Sequence, residues 1–256
     1  MDLRLTRPDG TPIGDWRLWS PPKEPKQWRA GRSAVELARA WFTATTPQVP
    51  AEFLALLSSS PLLEGLRDLK GMPEFVTSLP EVGEGRNHDL VLEGEAAGGR
   101  VLIAVEAKAD EKFGPRIGKY WAEKREQRSA PGGTPSRAPE RIEALLALLA
   151  GPEANPAQEP WIRIRYQLVT AAVGALLEAQ ARKASLAVLA IHEFQTSETD
   201  EDNLARNAAD LEAFLGALRL LPAPPVQPGK LYGPWHSPGS PIPLLVGKAT
   251  YTWRAA

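Results

Sequence analysis

Residues 88–108 read His88-Asp89-Leu90-Val91-Leu92-Glu93-Gly94-Glu95-Ala96-Ala97-Gly98-Gly99-Arg100-Val101-Leu102-Ile103-Ala104-Val105-Glu106-Ala107-Lys108. From His88 to Glu95 the residues alternate, with Asp89, Val91, Glu93 and Glu95 on one face and Leu90 and Leu92 on the other. Gly98-Gly99 follows as a tight turn, and Val101 to Ala109 is a β-rich run. Two such runs joined by a short glycine-containing loop predict a β-hairpin. Phe75 to Leu79 is expected to add a third strand just before it.

Outward from the hairpin the period changes. Val35, Leu37, Ala38, Trp41 and Phe42 recur at helical spacing, with Ser33 placed to cap and Glu36 three residues on to complete a capping box. Helical patterns recur over Ala51–Leu57, Glu140–Ala150, Ile164–Ala181 and Leu204–Leu220. Leu186 to Ile191 is continuously apolar, as in a strand buried on both faces. Val101, the long helix and Leu186 then read as a strand–helix–strand crossover. The expectation is α/β with a mixed central sheet flanked by helices, in a single domain over 1–256. Residues 1–32 read as an extended arm, 33–220 as the core, and 221–256 as a Pro-rich extension, irregular over 222–243 and closing on a strand over 244–253.

Side chains two apart in a strand point the same way. Glu106 and Lys108 therefore share a face at the end of an otherwise apolar strand, and Asp89 on the partner strand is placed to approach Glu106. Two close carboxylates repel, and a hard divalent cation relieves that repulsion. Mg²⁺ takes oxygen ligands, commonly one or two carboxylates plus waters and phosphate oxygens. A lysine beside such a pair can hold water and stabilise phosphate charge, which is the equipment for metal-assisted phosphodiester hydrolysis. The competing reading of the three residues is a solvated cross-strand ion pair.

Asp89 followed by Glu106-Ala107-Lys108 resembles the Asp…Glu-x-Lys signature of the PD-(D/E)XK, or restriction-endonuclease-like, nuclease superfamily. The resemblance covers roughly Ser33 to Phe194. The part from Arg165 to Phe194 is similar to an uncharacterised bacterial group within that superfamily. The resemblance implies an αβββαβ core and a nuclease for which DNA is the first candidate substrate and RNA the second, with Mg²⁺ as cofactor and Mn²⁺ able to substitute. It implies Asp89 and Glu106 as metal ligands, with the Ala107 carbonyl as a further ligand, and Lys108 as the residue that positions water. Glu36 lies on the leading helix, where many members carry an extra acidic ligand; a capping or surface role competes. Gln167, near the start of the long helix, matches a place where some members have a residue facing the site. A catalytically inactive nucleic-acid-binding or assembly protein with the same fold is the alternative.

The stretch Lys112 to Arg141 carries eight basic residues against Glu123, Glu126 and Glu140, with Tyr120 and Trp121 interleaved. Lys112, Arg116, Lys119, Lys124, Arg125 and Arg128 are candidates for phosphate-backbone contact. A helix with a charged solvent face is the competing reading, since Lys119 and Glu123 can pair.

Composition limits the rest. The 256 residues carry 30 basic and 31 acidic side chains, for a net charge of −1, which excludes histone-like binding through bulk charge. There is no cysteine, hence no disulfide framework or thiolate centre, and three histidines leave little for zinc. No apolar signal-peptide core is visible and no apolar run approaches the roughly 20 residues of a membrane span. The sequence therefore predicts a cytoplasmic protein without membrane contact, and leaves a homodimer or a partner protein open.

Overall fold

A computed structural model describes residues 2–19, 28–81, 83–130 and 136–253. The chain forms β1 (Leu3–Leu5), α1 (Ser33–Ala40), a small hairpin of β2 (Phe42–Thr43) and β3 (Thr46–Pro47), α2 (Ala51–Ser58), β4 (Arg67–Thr77), β5 (Arg86–Ala96) and β6 (Gly99–Lys108). Then follow α3 (Ile117–Ser129), α4 (Ala138–Ala150), α5 (Tyr166–Ala181), β7 (Leu186–Gln195), α6 (Glu201–Ala217), β8 (Lys230–His236) and β9 (Pro243–Thr252). This is a mixed α/β fold, with a seven-stranded sheet ordered β1-β4-β5-β6-β7-β9-β8.

The alternation in residues 88–108 is expressed as an antiparallel β5–β6 hairpin, in which Leu92 pairs with Ile103 and Leu90 with Val105. β4 pairs antiparallel with β5 on the other side, and it is longer than the strand expected over Phe75–Leu79. β6 runs parallel to β7, from Val101 opposite Leu186 to Lys108 opposite Glu193, and β7 runs parallel to β9. With parallel neighbours on both sides, β7 is buried from Leu186 to Phe194, which is why its sequence shows no alternation.

Each face of the sheet supports its own core. Leu90, Leu92, Val101, Ile103 and Val105 pack under α1 and α2. Val91, Leu102 and Ala104 face the opposite way, toward α3, α4, α5 and α6. α5 is wedged between sheet and outer helices and buries residues all around its circumference from Leu168 to Ala179.

Three local expectations are corrected. The first residues are not a free arm: β1 pairs parallel with β4, and Leu5, Ile13 and Trp19 are each only 2% exposed. Large apolar side chains without periodicity still have to be covered, so packing decides where local pattern is silent. Residues 20–27, including Glu24-Pro25-Lys26, lie outside the described residues, as do 131–135 of the Pro/Gly loop. In the extension, β8 forms within the stretch expected to be irregular. It lies at the sheet edge and its register shifts between Tyr232 and Trp235, so Pro234 sits where a missing N–H costs least. Finally, Ser33 does not cap α1. Arg32 holds the cap position without a side-chain bond, Ser33 turns its hydroxyl to Glu111 at 3.3 Å, and Glu36 accepts from the Gly31 N–H at 2.7 Å.

Candidate active site

The β5–β6 ladder ends with Leu90 opposite Val105. One residue further, Asp89 reaches across the strand end, and its Oδ2 accepts from the Ala107 N–H at 2.7 Å. Glu106 and Lys108 leave β6 on one face, and Lys108 Nζ donates to Glu106 Oε1 at 2.6 Å. Both are buried, at 1% and 5% exposure. Lys108 Nζ also lies 5.2 Å from the centre of the Phe113 ring. The three residues singled out by spacing thus meet at one strand end.

Four further residues complete the cluster. Arg86, the first residue of β5, sets its guanidinium against Glu106 Oε2. That oxygen has no hydrogen-bonding partner of good geometry, and neither does Arg86 Nε. The contact is therefore an ion pair rather than a bidentate fork. Glu111, three residues past Lys108, accepts from the Ala109 and Asp110 N–H groups through Oε2 and from the Ser33 N–H and hydroxyl through Oε1. It ties the loop after β6 to the start of α1. Glu74 accepts from the Asn87 amide at 2.6 Å. His88 is buried, and α5 approaches it so closely that a Cβ on Gly174 would stand 2.8 Å from His88 Nε2. Its ring packs against α5.

Charge and burial work against each other here. Burial raises the Asp89 carboxyl above its usual range, opposed by Lys108, Arg86 and the Ala107 N–H. Burial likewise raises Glu74 to about 7, with the charge of Asp89 adding to it. Burial lowers Lys108 to about 8 against the pull of Asp89 and Glu111. It also lowers Arg86, and holds the His88 imidazole neutral with Arg86 adding to the effect. For Glu111 burial acts upward but is outweighed by the N–H donors of Ala109 and Ser33 and by Lys108, so its pKa falls.

Arg86 also lines a cleft of about 830 Å³, together with Asn87, Lys112, Tyr120, Arg137, Arg141, Tyr166 and Gln167. Gln167 from α5 therefore does face this side. The Tyr120 and Tyr166 rings lie 5.2 Å apart. Arg141 braces the β4–β5 connection by donating to the Glu84 and Glu81 carbonyls at 2.5 and 3.1 Å. Gly83, at φ +144°, leaves room for it: a Cβ there would stand 2.8 Å from the guanidinium.

The other candidates separate. Of the six basic residues proposed for nucleic acid, only Lys112 lines the cleft. Lys119 faces Glu123 at 3.7 Å, Lys124 bonds Gln127, Arg125 lies over Trp121 and Arg128 pairs with Glu140. Arg116 holds the N-cap position of α3 without a side-chain bond and is exposed. Glu36 is buried on α1, with its carboxylate engaged by Gly31 and Arg39 rather than by Asp89 or Glu106. At the end of β7, His192 bonds Trp41 and Glu52 while Glu193 bonds Lys248 and Thr250, a satisfied polar strand end. Arg86 and Glu111 escaped the sequence reading, although both lie within three residues of a motif position and carry charge at a strand end.

Among the described residues no three His, Asp or Glu side chains gather as a metal site. Of the two carboxylates read as ligands, Asp89 bonds the Ala107 N–H, and Glu106 keeps a buried oxygen, Oε2, against the Arg86 guanidinium. A buried carboxylate oxygen held against a cation suits Mg²⁺, which binds through one or two carboxylates and completes its shell with water and phosphate.

A family model described as a domain of unknown function (DUF6946) matches residues 11–252. No curated protein and no solved structure matches the chain. Among the described residues no helix is long and apolar enough to cross a membrane.

Proposed function

The chain belongs to the DUF6946 family, and we propose that it is a Mg²⁺-dependent nuclease that hydrolyses phosphodiester bonds, with DNA as the first candidate substrate and RNA the second, and with Mn²⁺ able to substitute. The observation that carries this reading is the meeting of Asp89, Glu106 and Lys108 at one strand end, joined through Arg86 to a basic, tyrosine-bearing cleft. Asp89 and Glu106 would hold the cation, with the Ala107 carbonyl as a further ligand. A cation so held polarises a phosphoryl oxygen and makes bound water a better nucleophile. Lys108 would hold the water or a non-bridging phosphate oxygen through its N–H donors. Lys112, Arg137 and Arg141 supply positive charge along the cleft, Gln167 offers an amide, and Tyr120 and Tyr166 offer faces for a base to stack on.

The test is cleavage of single- and double-stranded DNA and RNA with Mg²⁺ or Mn²⁺, by the parent protein and by Asp89→Ala, Glu106→Ala and Lys108→Ala. The expected result is cleavage by the parent and its loss, by at least about a hundredfold, in each variant. Equal cleavage by all four proteins would overturn the assignment.

One observation favours the alternative, a nucleic-acid-binding protein without cleavage: both Glu106 oxygens already face cations, Lys108 and Arg86. Binding of nucleic acid with no cleavage under either metal would select it.

A further inference from the structure

We propose that Arg86 occupies the place of the divalent cation in the ligand-free protein and moves to the substrate phosphate when the cation binds, so that metal and nucleic acid bind with positive coupling. This rests on the nuclease reading and specifies how that site is held before substrate arrives.

The argument begins with Glu106, which is 1% exposed. A carboxylate this deep needs counter-charge, because a buried ion stripped of its partner costs several kcal/mol. Two cations meet the need, Lys108 on Oε1 and Arg86 on Oε2. They are not equally held. Lys108 has a bond of 2.6 Å to Glu106 and the Phe113 ring beside it. Arg86 has the ion pair and the nearby charges of Asp89 and Glu74, but no hydrogen bond among the described residues, and its buried Nε has no partner. Arg86 also lines the 830 Å³ cleft, so its guanidinium has somewhere to go.

Charge gives the coupling. Asp89 and Glu106 face Lys108 and Arg86, and Glu111 and Glu74 add carboxylates at the margin of the same cluster. A divalent cation on Glu106 would compete with the Arg86 guanidinium for Oε2, and the two like charges would repel at that oxygen. A phosphodiester in the cleft adds a negative charge and offers Arg86 two oxygens in the planar geometry that guanidinium prefers. Metal entry thus becomes easier once phosphate is present, and by linkage phosphate binds better once metal is present.

The experiment is an Mn²⁺ titration of the full chain, followed by the paramagnetic resonance signal of free Mn²⁺. It is run with and without a phosphorothioate oligothymidylate, for the parent and for Arg86→Gln. The oligonucleotide should tighten Mn²⁺ binding by the parent about tenfold. Arg86→Gln should bind Mn²⁺ alone about tenfold more tightly than the parent and gain little from the oligonucleotide. Equal Mn²⁺ affinity in the two proteins, with the same gain, overturns the role of Arg86 and leaves the nuclease reading standing. Failure of the parent to bind Mn²⁺, with and without the oligonucleotide, overturns both. The parent titration needs no variant: Mn²⁺ binding that the oligonucleotide leaves unchanged overturns the inference even if Arg86→Gln does not fold.

Discussion

The Asp89 carboxylate closes the end of the β5–β6 hairpin by accepting the Ala107 N–H at 2.7 Å. One residue therefore serves both strand pairing and the candidate metal site. Asp89→Asn keeps an acceptor for Ala107, whereas Asp89→Ala leaves a fully buried N–H unpaired, at about 1–3 kcal/mol. The alanine variant should melt several degrees below the parent and the asparagine variant close to it, while both lose cleavage. Equal melting of the two variants by calorimetry would show that the bond to Ala107 contributes nothing.

Lys108 gives stability an alkaline signature. Its pKa in the fold is about 8, against 10.5 in the unfolded chain. Between those values the unfolded chain binds the extra proton, so this residue makes the fold more stable as pH rises, by roughly 3 kcal/mol in full. Urea unfolding of the metal-free protein at pH 8 and pH 10 should show the rise. Lys108→Met should remove it, and a rise of the same size in that variant would contradict the assignment.

Glu74 acts in the opposite sense on the acid side. Its pKa is raised from 4.5 to about 7 in the fold. There the native state binds the extra proton, so stability from this residue is present below about 4.5 and is lost as pH rises toward 7. Glu74→Gln keeps an acceptor for Asn87 and removes the titration. The difference in urea midpoint between parent and variant should favour the variant at pH 7 and shrink by pH 4.5; a constant difference would refute this.

Nucleic-acid affinity should follow the cleft rather than the outer face of α3. Charge reversal at Lys112 and Arg137 should weaken binding and flatten the slope of log affinity against log salt by about one unit per lost phosphate contact. Reversal at Lys119, whose side chain is 75% exposed and faces Glu123, should leave the slope unchanged. The opposite ranking in a salt titration would place the binding surface on α3.

The hairpin, the crossover to β7 and the meeting of Asp89, Glu106 and Lys108 were legible because period-2 alternation fixes register and faces over short range. The residues that complete the cluster were not. Arg86 acts through a long side chain that reaches a neighbouring strand, and Glu111 through loop geometry that sends Ser33 to it instead of to a cap. β1 and β8 were missed for a related reason: each is short or interrupted, and its pairing is decided by a distant partner, β4 or β9. The basic run over residues 112–141 shows the converse. Its composition was plain, but only the fold separates Lys112, at the cleft, from the residues committed to α3.

The parallel pairing of β7 with β9 also sets the order in which a growing chain can be completed. β7 is finished at Gln195, yet its second neighbour arrives only with residues 243–252. Throughout the synthesis of the intervening stretch, an apolar ten-residue strand has one edge unpaired, the kind of surface that attracts other chains and chaperones. Truncation after residue 221 would make that transient state permanent. Removing the proline-rich tail should therefore be felt first as aggregation during expression, before any effect on chemistry.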